Sequence, residues 1–146
     1  MGNRLILCSS ATKSLPKLEK ILRKIHPTGK ITAITTAANT YPTDNRPWFD
    51  ENMQAVKNLG YVFSELDITG KSRADIEEDI SDTDILYVSG GSSFYLLDQM
   101  HRCEFKEILQ SFLSRRKTYI GSSAGAIVLC QNIEYIEVLD KKSNAT

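Results

Sequence analysis

Short apolar runs alternate with helical stripes of apolar residues along the whole sequence, and this alternation constrains the fold more than any other feature. The runs RLILCS at 4–9 and ILYV at 85–88 are nearly continuous in apolar residues, as is typical of parallel strands buried on both faces. Helical spacing appears between such runs, for example over residues 18–25. The alternation predicts an α/β fold of three layers, with a mostly parallel sheet and helices on both faces.

The predicted elements follow from the same patterns. We predict strands at residues 4–9, 31–37, 61–66, 85–88, 117–120 and 133–139. The first helix is predicted to have Ser14 as its cap and Pro16 in its first turn, and the last helix to cover residues 124–130. No linker, repeat or low-complexity segment interrupts the pattern, so residues 1–146 are predicted to form one domain.

Charge and cysteine content exclude several classes of protein. The 18 Lys and Arg residues balance 18 Asp and Glu residues, which gives no electrostatic reason to expect nucleic acid or an anionic membrane as partner. No apolar run approaches the ~20 residues of a membrane-spanning helix. Cys8, Cys103 and Cys130 are far apart and lack the spacing of metal ligands or of a disulfide framework. We expect a cytoplasmic protein with reduced thiols.

The segment Gly121-Ser122-Ser123-Ala124-Gly125 fits the pattern G-x-S-x-G between a strand and a helix, the context in which this pattern forms a nucleophile turn. The central Ser123 would then point into a cleft, and the backbone N–H of Ala124 would be free to bind an oxyanion. A tight strand-to-helix turn built from small residues is the other explanation. The five-residue pattern alone does not decide between them.

A second glycine-serine segment, Ser89-Gly90-Gly91-Ser92-Ser93, follows the predicted strand at 85–88. In open α/β sheets ligands bind beyond the carboxyl ends of the strands, so this segment is a candidate for a second oxyanion donor. A simple glycine-rich turn or a phosphate-binding loop are the alternatives. The segment lacks the full dinucleotide fingerprint G-x-G-x-x-G.

Together the two segments carry a family resemblance. VSGGSSFYLL at 88–97 followed by YIGSSAGAIVL at 119–129 resembles the peptidase E family of serine peptidases, also called aspartyl dipeptidases. The resemblance implies a fold like the class I glutamine amidotransferases, which is flavodoxin-like. It also implies Ser123 as nucleophile, Gly91 and Ala124 as oxyanion donors, and small peptides with an amino-terminal Asp as substrates. No metal or cofactor is implied.

A serine nucleophile needs a base, usually a histidine oriented by a carboxylate. The sequence has two histidines, His26 and His101, and each falls near the end of a predicted helix. In the family the order is serine, acid, histidine, and this order makes Asp140 the candidate acid. Glu134 and Glu137 are alternatives, although their alternation with apolar residues is typical of a half-exposed strand.

Only six residues follow Asp140, and none is a histidine. We therefore expect the chain to lack the carboxyl-terminal part of a peptidase E-like domain. A fragment, a non-catalytic pseudo-enzyme or binding module, and a histidine supplied by another chain are the explanations left open. An amidotransferase-like domain is a weaker alternative, since it would normally carry cysteine at the turn. The last predicted strand would be an uncovered edge, which predicts self-association.

Overall fold

The computed structural model describes residues 3–134, which contain a five-stranded, all-parallel sheet with helices on both faces. The elements in chain order are β1 (Arg4–Cys8), α1 (Ala11–Ile25), β2 (Lys30–Ile34), a 3₁₀ helix (Thr36–Thr40), α2 (Pro47–Lys57), β3 (Val62–Leu66), α3 (Arg73–Asp79), β4 (Ile85–Val88), α4 (Ser93–Arg102), α5 (Phe105–Ser114), β5 (Thr118–Ser122) and α6 (Ala124–Ile127). The predicted α/β class with a parallel sheet is confirmed.

The strand order is β1-β5-β4-β2-β3. A flavodoxin-like sheet has the strand order 2-1-3-4-5. Here β2, β3, β4 and β5 occupy the places of its strands 1 to 4, and β1 occupies the place of strand 5. Val88 pairs with Gly121, and Cys8 pairs with Ser122. This register brings the carboxyl ends of β4, β5 and β1 side by side, so the loops that follow these three strands meet at one edge of the sheet.

Each face of the sheet has its own apolar core. Buried residues of α1 and α2 pack with Ile31, Ile85 and Tyr87 on one face. Buried residues of α3, α4 and α5 pack with Leu86 and Val88 on the other. These two cores give the three predicted layers, and the continuous apolar run of β4 is explained because all four of its residues are buried.

Strand β1 is covered on one face only. Ile6 packs against the core formed by α1 and α2, but Leu5 and Leu7 on the opposite face are 46% and 52% exposed. Within residues 3–134, β1 also forms one edge of the sheet. The predicted uncovered edge at residues 133–139 lies largely outside the described residues, and self-association through an exposed edge stays a prediction.

The predicted start of the first helix was wrong. Helix α1 begins at Ala11, with Ser10 rather than Ser14 at the cap position. The Ser14 N–H already donates to the Ser10 carbonyl at 3.1 Å, so Ser14 lies inside the helix. Pro16 consequently falls in the second turn, where its ring removes one hydrogen bond on an exposed face.

The second strand is shorter than predicted and ends at Ile34. The β-branched residues that follow it turn into the 3₁₀ helix because the Thr36 hydroxyl bonds across to the chain after β3. It donates to the Asp67 carboxylate at 2.9 Å and accepts from the Ile68 N–H at 2.9 Å. A pattern of β-branched residues predicts a strand, but these side-chain bonds favour a turn instead.

The last helix and the last strand also differ from expectation. Helix α6 covers four residues, because Leu129 and Cys130 donate to carbonyls three residues back and the chain tightens into turns. Ile133 and Glu134, the first residues of the predicted strand 133–139, do not lie in a strand. The rest of that strand lies outside the described residues.

Candidate active site

A pocket of about 380 Å³ opens where the loops after β1, β2, β4 and β5 meet. It is lined by Ser9, Ser10, Tyr41, Trp48, Asn52, Gly90, Gly91, Ser93, Ser122, Ser123 and Ile127. Its volume is in the ordinary range for small-molecule sites, and it lies at the carboxyl end of a parallel sheet, where α/β proteins bind their ligands. Both predicted glycine-serine segments contribute to it.

Ser123 has the backbone conformation of a strained turn. Its φ of 51° and ψ of −111° are rarely adopted by any residue other than glycine. The surroundings hold it there: its N–H donates to the Cys8 carbonyl at 2.9 Å, and its carbonyl accepts from Ala126 and Ile127 at 2.9 Å each. The residue is exposed at the pocket. Fixed strain of this kind at an exposed serine points to function.

The two glycines around Ser123 are needed for close packing. A methyl group on Gly121 would overlap with the carbonyl group of Gly125, and one on Gly125 would overlap with the carbonyl group of Val88. The buried Tyr119 hydroxyl donates to the Gly125 carbonyl at 2.5 Å, and burial raises the pKa of this hydroxyl. The G-x-S-x-G spacing therefore has a steric reason in this fold.

The loop after β4 lies directly against Ser123. A methyl group on Gly90 would lie 3.3 Å from the Ser123 Cβ and 3.7 Å from its Oγ. On its other side the loop is fixed to the 3₁₀ helix, because the Ser92 N–H donates to the Ala37 carbonyl at 2.8 Å. Gly91 has a φ of 137°, and a side chain there would overlap with Ala37. The peptide of Gly91 is thus held in place from two sides.

Asp67 anchors the 3₁₀ helix that supports this loop. Its carboxylate accepts hydrogen bonds from the hydroxyl of Thr36 at 2.9 Å, the side-chain amide of Asn39 at 2.8 Å, and the N–H and hydroxyl of Thr69 at 3.0 and 2.7 Å. Burial raises the pKa of Asp67, but the hydrogen bonds from Thr69, Asn39 and Thr36 together lower it by more, so the pKa is below its ordinary value.

The structure brings three of the predicted site residues together. Ser123 and Gly91 line the same pocket, and Ala124 follows Ser123 as the buried first residue of α6. Within residues 3–134 neither the Gly91 N–H nor the Ala124 N–H donates a backbone hydrogen bond. Glu134 is exposed and is not among the pocket residues, while Asp140 and Glu137 lie outside the described residues.

The two histidines lie elsewhere. His26 Nε2 and the Thr118 hydroxyl are 2.9 Å apart, and Thr118 begins the strand whose far end precedes Ser123. A strand of five residues places His26 on the order of 15 Å from Ser123. Burial lowers the pKa of His26. His101 is exposed at the end of α4 and borders a different groove.

Sequence reasoning missed one wall of the pocket, formed by Tyr41, Trp48 and Asn52. Tyr41 follows the 3₁₀ helix, and the other two belong to α2. No motif marks them, because only the strand order brings α2 next to the ends of β4 and β5. The one signal in the sequence was Trp48, an aromatic residue that directly follows a polar loop.

The described part of the chain offers no other obvious chemistry. No group of three or more His, Cys, Asp or Glu residues within 3–134 could hold a metal ion. In the same range, none of the helices has the length and apolar character needed to cross a membrane.

Comparison with known proteins gives a consistent result. The sequence pattern of "Peptidase family S51" matches residues 5–146. The chain is 32% identical over 115 residues to "Uncharacterized peptidase PM1590" of Pasteurella multocida, a stretch that covers 79% of this chain and 55% of that protein. It is 32% identical over 145 residues to "Peptidase E" of Haemophilus influenzae, covering 91% of this chain and 57% of that protein.

The fold has a solved counterpart. The crystal structure of a putative peptidase E protein from Listeria monocytogenes superposes with a TM-score of 0.84 at 28% identity, covering 99% of this chain and 70% of that one. The chain spans about half the length of the curated relatives that it matches.

Proposed function

The chain belongs to peptidase family S51, and we propose from this premise that residues 3–134 provide the nucleophile and the oxyanion hole of a serine peptidase. The family assignment confirms the resemblance to peptidase E that the motifs at 88–97 and 119–129 carry. The single observation that supports Ser123 as nucleophile is its strained backbone, with φ at 51° and ψ at −111°, at an exposed position in the pocket.

In the proposed reaction the Ser123 Oγ attacks the carbonyl carbon of a peptide bond and loses its proton to a base. The carbonyl oxygen becomes an oxyanion, which accepts hydrogen bonds from the N–H groups of Gly91 and Ala124. Collapse of this intermediate breaks the C–N bond, and the amine leaves with a proton from the same base. Water then releases the acyl group from Ser123 in the reverse sequence.

Asp140 remains the proposed acid that orients the base, with Glu134 and Glu137 as alternatives. We propose short peptides as substrates and the cytoplasm as location. The preference for an amino-terminal Asp comes from the resemblance to peptidase E alone.

A second candidate function is a non-catalytic binding module on the same fold. One observation favours it: neither His26 nor His101 is among the pocket residues. A serine without its base keeps only the part of the rate enhancement that binding and the oxyanion hole supply. Both candidate functions use the same pocket, but only the peptidase would hydrolyse the bound peptide.

Hydrolysis of amino-acid p-nitroanilides separates the candidates. The panel contains Asp, Ala and Leu p-nitroanilides, and the proteins are the wild-type chain, Ser123→Ala and Ser111→Ala. Ser111 is an exposed serine on α5, away from the pocket, and controls for loss of a serine. The peptidase proposal expects release of p-nitroaniline that disappears in Ser123→Ala and persists in Ser111→Ala. Equal rates in all three proteins would reject it and favour the binding module.

A further inference from the structure

One side of the pocket is an aromatic wall whose geometry is fixed. Trp48 is half-buried and contacts Tyr41 edge to face, with ring centroids 5.4 Å apart and planes at 81°. It also lies edge to face with the buried ring of Phe49, with ring centroids 6.1 Å apart and planes at 88°. These contacts orient the indole ring, and Ile127 adds an apolar side chain to the same pocket.

The remainder of the lining is polar but uncharged. Within residues 3–134 it consists of serines, two glycines and Asn52, with no Lys, Arg, Asp or Glu. The cation closest along the chain to Trp48, Arg46, is engaged elsewhere. Its guanidinium donates to the Ala38 carbonyl at 3.1 Å and lies 4.4 Å from the centre of the Phe49 ring.

This lining disfavours an acidic side chain. Moving a carboxylate from water against the lining that residues 3–134 form is costly, because no cation among these residues replaces its hydration. An apolar or aromatic side chain gains instead from the surface that it buries against Trp48, Tyr41 and Ile127. The neutral hydroxyls and the Asn52 amide can still bond to the backbone of a peptide.

We propose that this pocket selects a peptide by an uncharged apolar or aromatic side chain that packs against Trp48. The inference rests on the proposed function, since it assigns the pocket beside Ser123 to a peptide substrate. It makes Trp48 and Tyr41 specificity-determining residues, and it predicts a preference different from the amino-terminal Asp that the resemblance implies.

Trp48 provides the measurement, because it is the chain's one tryptophan and lies in the pocket itself. Binding is followed by Trp48 fluorescence in the Ser123→Ala variant, so that turnover is not required. The probes are five dipeptide amides: Ala-Ala, Leu-Ala, Ala-Leu, Asp-Ala and Ala-Asp. At one of the two positions, Leu is expected to lower the Kd about tenfold relative to Ala, and Asp is expected to raise it.

Tyr41→Leu tests the aromatic wall directly, because Tyr41 lies at the surface and its replacement leaves Trp48, whose fluorescence is measured, in place. This variant is expected to weaken binding of the preferred Leu peptide more than binding of Ala-Ala. Tyr95→Leu is the matched control, since Tyr95 is a half-buried tyrosine on α4 that is not among the pocket residues. It is expected to leave both affinities unchanged.

Tighter binding of Asp than of Leu at both positions would overturn the inference, as would the lack of a saturable fluorescence change with any of the five peptides. These outcomes are independent of catalysis. Failure to hydrolyse p-nitroanilides would reject the peptidase proposal and leave the binding result standing. Hydrolysis without any Trp48 response would reject the wall as the specificity determinant and leave the peptidase proposal standing.

Discussion

The two flanks of Ser123 are built very differently. On the side of β4 the Gly90-Gly91 loop is packed against Ser123 and fixed to the 3₁₀ helix, and the core beneath is fully covered. On the side of β1 the neighbouring strand leaves Leu5 and Leu7 exposed. Residues 3–134 therefore pack tightly against Ser123 on the β4 side, whereas on the β1 side they leave one face of the neighbouring strand half exposed.

The largest expected effect tests how rigid the packed flank is. Gly125→Ala places a methyl group on the Val88 carbonyl, and we expect the free energy of unfolding to fall by about 3 kcal/mol. Gly70→Ala is the control, because an added methyl group there has no atom within 4 Å, and its cost comes only from the φ of 70° that glycine favours. We expect it to cost only about 1 kcal/mol. If urea denaturation shows the same decrease in the free energy of unfolding for both variants, the packing around Gly125 can adjust to the added methyl group.

Ser123 itself offers the second test. Glycine at this position relieves a backbone strain of about 1–3 kcal/mol, which stabilises the fold. It also gives the unfolded chain more conformational entropy, which costs about 0.5–1 kcal/mol of stability. We therefore expect Ser123→Gly to be about 1 kcal/mol more stable than Ser123→Ala by thermal or urea unfolding. A glycine variant less stable than the alanine variant would mean that the turn is not strained.

The exposed flank is tested on β1. Leu5→Ser and Leu7→Ser should each change the free energy of unfolding by less than about 0.5 kcal/mol, because these side chains are about half exposed. Ile6→Ser on the same strand should cost about 2 kcal/mol, since Ile6 packs on the opposite core. If self-association uses this face, sedimentation velocity should show less dimer in the two leucine variants. Large losses of stability at Leu5 or Leu7 would contradict an uncovered face.

The smallest effect concerns Asp67, which anchors the 3₁₀ helix against which the loop after β4 is fixed. The hydrogen bonds to Asp67 hold its pKa below the ordinary value, so the carboxylate stabilises the fold above about pH 4 and this contribution is lost as the pH falls through the lowered pKa. Asp67→Asn should therefore be less stable than wild type at pH 7, and the difference should shrink as the pH falls below about 4. Asp44→Asn, in an exposed loop, is the control. A deficit that persists unchanged at low pH would contradict this account.

The sequence alone predicted the parallel sheet and the central position of Ser123, because both depend on local patterns. The apolar run of β4 and the G-x-S-x-G spacing each reflect contacts that a strand or a turn must make. Tyr41 and Trp48 could not be predicted, because they reach the pocket only through the order of the strands. The early end of β2 was missed because the Thr36 hydroxyl that turns the chain donates to the carboxylate of Asp67, 31 residues further along the chain.

Labelling with a fluorophosphonate tests most directly the claim that Ser123 is an activated nucleophile. Wild type, Ser123→Ala and Ser111→Ala are treated with the reagent, and the modified peptides are mapped by mass spectrometry. We expect one phosphonylated residue, Ser123, in wild type and in Ser111→Ala, and no adduct in Ser123→Ala. Modification of other serines with Ser123 untouched, or no modification at all, would contradict it.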